Sequence, residues 1–142
     1  MEFMLDRTGQ PRLSFEGDVI ASAVSPGKRR SLGDPRAKSH WFEMDVYKTK
    51  GGSYVMYIRY RFSGALYREA PYDHVTTHAD RDSMLDVAEQ WQPMTYVKGF
   101  PSTPFWAEKQ AGLCRDLDSD FSLMVEDVSC QLLKLVPAER LE

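Results

Sequence analysis

His74 and His78 bracket the spacer Val75, Thr76 and Thr77, with Asp73, Asp80 and Asp82 alongside, and they form the one cluster of potential metal ligands in the 142-residue chain. On a helix, histidines at i and i+4 share a face and can hold one zinc ion; on a strand the same spacing sets them about 13 Å apart. The β-branched spacer favours the strand. One ion cannot then bridge the pair, and exposed strand histidines are expected instead of a metal site. Asp116, Asp118 and Asp120 match the opening of a calcium loop, but Phe121 stands where that loop needs glycine and Asp127 where it needs glutamate. Helix capping or a solvated helix face accounts for them. Nucleophile elbows, phosphate-cradling glycine loops, dinucleotide fingerprints and paired zinc-ligand motifs do not occur. The expectation is a non-enzymatic protein with no catalytic residue, metal or cofactor.

A second constellation is physical in character. Trp41, Tyr47, Tyr57, Arg59 and Arg61 fall on one side of a strand pair whose other side is apolar. Aromatic rings interleaved with arginine on an open sheet can stack single-stranded bases and neutralise phosphates. The same residues also make ordinary cross-strand pairs, Glu43 with Arg59 and Trp41 with Arg61, or a face covered by another chain. Beside them, residues 26–39 carry Lys28, Arg29, Arg30, Arg36 and Lys38 with Gly27, Gly33 and Pro35, a long basic loop without apolar periodicity. These ten residues are the candidate binding site, for protein or nucleic acid.

The elements that would position them follow from hydrophobic period and turn chemistry. Leu13, Phe15, Val19, Ala21 and Ala23 alternate with polar residues, which predicts a strand with a bend or bulge at Gly17. Residues 40–48 and 53–62 predict a β-hairpin. A three-residue loop, Lys50 to Gly52, puts Phe42 opposite Tyr60, Met44 opposite Ile58 and Val46 opposite Met56 on an apolar face. It puts Glu43 opposite Arg59, Trp41 opposite Arg61, Asp45 opposite Tyr57 and Tyr47 opposite Val55 on the other. Shorter or longer loops would set Glu43 against that apolar row. Residues 72–78 predict a short strand, and Asp80 or Asp82 caps a helix carrying Met84, Leu85, Ala88 and Trp91 that stops at Pro93. Residues 93–104 read as irregular.

Thr103 and Pro104 open a C-terminal helical region, residues 103–136, in which Leu113, Leu117, Phe121, Met124, Val128, Leu132 and Leu135 form one apolar stripe. One continuous helix of that span is about 50 Å long, against a domain diameter of about 37 Å. Either it breaks near Gly112 or within residues 116–120, or it projects and pairs with a second subunit; the capping residues Asp118 and Ser119 favour the break. The fold expected is α+β: a single domain, residues 1–142, with a largely antiparallel sheet of three to four strands and helices packed on one face. Residues 1–3 and 141–142 carry none of this reading.

Composition sets the class. With 42% hydrophobic and 27% charged residues the chain can bury a core of its own. No run approaches the length of a membrane helix and the N-terminus lacks a secretory core, so a soluble, cytoplasmic protein without membrane contact is expected. Cys114 and Cys130 lie 16 residues apart; on one continuous helix that is about 24 Å along the axis, too far to bridge, which suits a reducing compartment. Net charge is −3, yet residues 1–72 carry 12 Lys/Arg against 8 Asp/Glu while residues 73–142 carry 6 against 13. A basic sheet neutralised by acidic helices explains that division, as does an anion-binding face.

Phe15, Gly17, Ile20 and Ala21, followed by Trp41, Glu43, Met44, Tyr47, Thr49, Gly51, Gly52, Tyr54 and Val55, resemble a pattern in small uncharacterised bacterial proteins of plasmids and phages. There a strand leads into an Arg-Trp-x-Glu…Tyr-x-Thr-x-Gly-Gly-x-Tyr-Val hairpin. This chain has His40 in place of the arginine, a longer basic loop and additional C-terminal helices. The resemblance covers about a third of the chain, implies a bacterial, mobile-element origin, and brings no activity with it. The function expected is binding or regulation through protein contacts, including self-association along the C-terminal stripe or the outer sheet face. The alternative is a nucleic-acid-binding accessory protein using the basic loop with Trp41, Tyr57, Arg59 and Arg61; an enzyme built on His74, His78 and neighbouring aspartates stands third.

Overall fold

The computed structural model describes residues 1–26, 40–62, 71–96 and 104–135. At its centre, β3 (His40–Thr49) and β4 (Tyr54–Phe62) form the hairpin in the register that their two side-chain rows demand. Phe42 faces Tyr60, Met44 faces Ile58 and Val46 faces Met56, while Glu43 meets Arg59 and Trp41 meets Arg61. Gly52 takes the left-handed position at φ 91°, with the Thr49 N–H donating to the Ser53 carbonyl at 2.8 Å across the three-residue loop.

Among the described residues the sheet has five antiparallel strands in the order β1-β2-β3-β4-β5, with β1 spanning Glu2–Arg7, β2 Gln10–Val24 and β5 Tyr72–His78. The expected three to four strands are thus corrected to five. The additional strand is β1, which pairs with the first half of β2 through a tight turn at Thr8 and Gly9, where Gly9 has φ 75°. Its inward residues are only Phe3 and Leu5, too short a pattern to stand out from sequence.

β2 serves two neighbouring strands in succession. Up to Glu16 it pairs with β1; from Gly17 onward it pairs with β3. Gly17 allows the handover because the backbones press together there: a Cβ on it would sit 2.3 Å from the Lys48 carbonyl oxygen. The bulge falls a little later, between Val19 and Ala21, where Val19 stands opposite Tyr47 and Ala21 opposite Val46. One extra residue swaps the face to which alternate side chains point. Leu13 and Phe15 therefore pack on one side of the sheet and Ala21 and Ala23 on the other, while Val19, expected on the same face as all four, is exposed.

Among the described residues, two helices cover the inner face. Helix α1 (Arg81–Glu89) starts at Asp80, whose carboxylate accepts the Ser83 N–H at 2.7 Å. Helix α2 (Pro104–Leu135) is 32 continuous residues, about 48 Å. The break favoured from sequence is corrected, since the apolar steps from Leu117 through Phe121 to Met124 carry the helix across Asp118 and Ser119 without a change of phase. Its length is accommodated by packing only part of it deeply: Leu117, Phe121, Met124, Val128 and Leu132 are buried, whereas Ala111, Arg115 and Asp116 are exposed. The stripe meets Phe42, Met44, Val46, Met56, Ile58 and Tyr60 in one core. Each such side chain contributes about 1.5–3 kcal/mol. Cys114 and Cys130 are unbridged on this one helix, as its continuity requires.

Candidate functional site

The outer sheet face is not an open platform. The β1–β2 hairpin folds over it, so that Phe3, Leu5, Leu13 and Phe15 pack on Tyr47, Val55, Tyr57 and Val75 in a second core. Phe3 and Phe15 meet the Tyr47 ring at centroid distances of 4.8 and 5.2 Å. Tyr47 is 4% exposed and Tyr57 8%. Neither ring has a face available for a base, which corrects the expectation that these aromatics are exposed. Burial, followed by the negative charge of Asp45, raises the Tyr47 phenol above its ordinary pKa. Burial together with the hydrogen bond to Asp73 pushes Tyr57 up to about 12.

The two arginines of this face are engaged by carboxylates. Burial opposes the charged form of Arg59, but the 2.7 Å bond to Asp45 and the nearby Glu43 outweigh it and raise its pKa. Its guanidinium lies 4.7 Å from the centre of the Tyr57 ring, and Asp45 also accepts from Ser22 Oγ at 2.7 Å. Arg61 bonds Asp73 at 2.7 Å, and the same Asp73 oxygen accepts the Tyr57 hydroxyl at 2.9 Å. Three carboxylates thus answer two guanidinium groups, leaving no surplus positive charge for phosphate. Trp41 pairs with Arg61 across the strands, and its buried indole N–H meets no acceptor among the described residues. Lys28, Arg29, Arg30, Arg36 and Lys38 lie outside the described residues.

The histidines lie on β5, as their spacer predicts. His74 is packed on Trp91 with ring centroids 4.6 Å apart, and His78 Nε2 sits 2.7 Å from Thr76 Oγ1. Burial lowers the pKa of both, although Asp80 pulls that of His78 the other way. Among the described residues no group of three or more potential ligands could hold a metal ion.

A site that sequence reading did not assemble lies where α1, a short 3-10 turn (Pro93–Tyr96) and α2 converge. Trp91, Pro93, Phe121 and Val125 floor a groove of about 320 Å³, and Glu89 and Asp118 stand on its rim. The sheet fixes this geometry at two points: the Tyr72 hydroxyl donates to the Pro93 carbonyl at 3.0 Å, and His74 backs the Trp91 ring. Phe121, of the α2 stripe, and Val125 beside it are buried in the core, whereas Glu89 and Asp118 are exposed. No lysine, arginine or histidine lines the groove among the described residues, and neither rim carboxylate is ion-paired within them. The signal available in sequence was Trp91 at the end of one amphipathic pattern and Phe121 within another; only the packing of the two helices brings them together. The neighbouring Cys114 thiol is raised in pKa by burial and by Asp118, which makes it a poor nucleophile.

The arrangement defines an α+β protein with an aromatic, carboxylate-rimmed groove between its helices. No family model, curated protein or solved structure matches the chain. Among the described residues no helix is long and apolar enough to cross a membrane.

Proposed function

We propose that this chain is a small non-enzymatic binding or regulatory protein that acts through protein contacts, with the groove between α1 and α2 as its working surface. The observation that carries this reading is a groove in which the half-buried Trp91 lies over the buried Pro93, Phe121 and Val125, with the exposed carboxylates of Glu89 and Asp118 at the rim. Binding surfaces combine an aromatic anchor with a polar margin in this way. Self-association through the α2 stripe is not part of the proposal, because Leu117, Phe121, Met124, Val128 and Leu132 are used in the chain's own core. The two unbridged cysteines support a cytoplasmic setting, and the hairpin residues support a bacterial, mobile-element origin. The nucleic-acid alternative keeps only the basic run of residues 28–38, since Arg59 and Arg61 are held by carboxylates.

Photocrosslinking in the native host tests this. A benzophenone side chain placed at Gln92, exposed on the groove, is expected to give discrete protein adducts; the same group at Met4, 61% exposed on β1, is expected to give none. Adducts at both positions, or at Met4 alone, would reject the groove as the contact surface.

A further inference from the structure

Independently of the groove, we infer that β5 is a docking edge for a second copy of this chain, the two β5 strands pairing antiparallel about Thr76 so that two sheets join into one. The start of β5 shows which groups are on offer. Asp73 turns its peptide groups away from β4 and onto Thr8: its N–H donates to Thr8 Oγ1 at 2.8 Å and its carbonyl accepts the Thr8 N–H at 2.9 Å. Peptide groups alternate sides along a strand, and β5 holds one register against β4, so Val75 and Thr77 point their N–H and C=O the same way as Asp73. Among the described residues nothing bonds these groups, and Thr77 is exposed. Thr8 thus fills the first rung along this edge, and the next two are open among the described residues.

The other edges are guarded. Beyond Gly17 the edge of β2 is capped at Ser22 by the Gln131 carboxamide. On β1 the Met1 carbonyl accepts the Gly17 N–H, so Glu2 and Met4 turn their peptide groups outward; pairing two such edges about Met4 would oppose Glu2 to Asp6. β5 has neither device. From His74 to His78 it holds no carboxylate, lysine, arginine, proline or glycine, and Val75, Thr76 and Thr77 are all β-branched. The register about Thr76 is also self-complementary. It sets Val75 opposite Thr77, His74 opposite His78, Asp73 opposite Ala79 and Tyr72 opposite Asp80, so no carboxylate meets another. Burial lowers the pKa of both histidines, which keeps their pairing uncharged at neutral pH. Each Val75 and Thr77 pair exchanges both of its backbone hydrogen bonds, and the two-fold relation closes the assembly as a dimer.

Sedimentation equilibrium of the full chain tests this at concentrations up to about 1 mM, in thiol reductant because Cys130 is exposed. A monomer–dimer equilibrium is expected, weak because the shared edge is short. Thr77→Lys puts a charge at an exposed edge position and should weaken dimerisation about tenfold or more. Met4→Lys, at a position 61% exposed on β1, should leave it unchanged. Amide hydrogen exchange of the unmodified protein gives a second reading that needs no variant. Val75 and Thr77 should exchange more slowly at concentrations where the dimer forms, while exchange at Glu2 and Met4 stays the same. A chain that is monomeric throughout overturns the inference. So does a dimer that Thr77→Lys leaves intact, or one whose formation does not slow exchange at Val75 and Thr77.

Discussion

Tyr47 and Tyr57 illustrate how residue type and burial can part company. Their rings share a sheet face with arginine, which in sequence reads as a binding surface, yet both are buried by Phe3, Leu5, Leu13 and Phe15. Their phenols should not ionise with the exposed tyrosines: in a spectrophotometric titration of the folded protein, Tyr57 is expected to lose its proton only near pH 12. The sign of the linkage follows. A folded-state pKa raised above the unfolded value of 10.0 gives stability that is full below pH 10 and is lost as the pH climbs toward 12. Urea midpoints should therefore fall over that window, and a Tyr57→Phe variant should lose less of its stability there. Gly17 makes the opposite case, a residue whose importance lies in what it lacks. Gly17→Ala would force a Cβ to 2.3 Å from the Lys48 carbonyl oxygen, a backbone atom that cannot rotate away. A loss of about 3 kcal/mol in denaturant unfolding is expected; a loss under about 1 kcal/mol would show that β2 does not press on β3 there.

Among the elements, the β3–β4 hairpin was fully legible because two independent rows, one apolar and one of paired charges, select the same register. Helix α2 was legible in its stripe but not in its continuity, since Asp118 and Ser119 can cap a new helix and only tertiary packing decides that they do not. Its course also explains how the outer edge of β2 is closed. The Gln131 carboxamide accepts the Ser22 N–H at 3.1 Å and donates to the Ser22 carbonyl at 2.7 Å, replacing the bonds a neighbouring strand would make. The two sides of α2 should respond very differently to charge. Leu132 is 2% exposed and Leu133 58%, so Leu132→Asp is expected to cost more than about 4 kcal/mol while Leu133→Asp changes stability by no more than about 0.5 kcal/mol. A lowered solution mass with an intact fold in Leu132→Asp would place that residue at a subunit contact instead of in the core.

Taken as a whole, the molecule divides its aromatic residues between concealment and display. The change of partner at Gly17 and the bulge after Val19 let the β1–β2 hairpin cover the outer face, so one sheet supports two cores. That fold-over was the least legible feature: alternation in residues 13–23 looks like a single face, and no local signal says that a one-residue bulge reverses it. With the outer face closed, the groove beside the half-buried Trp91 sets an aromatic ring next to two exposed carboxylates, Glu89 and Asp118. Both halves of this arrangement can be read at once by hydroxyl-radical footprinting of the native protein with mass-spectrometric detection. Trp91 and the exposed Met4 should be oxidised readily, with Tyr47 and Tyr57 protected by a factor of about ten or more until denaturant is added. Oxidation of Tyr47 and Tyr57 at rates comparable to Met4, with Trp91 protected, would mean that the sheet face is the open surface and the groove is not.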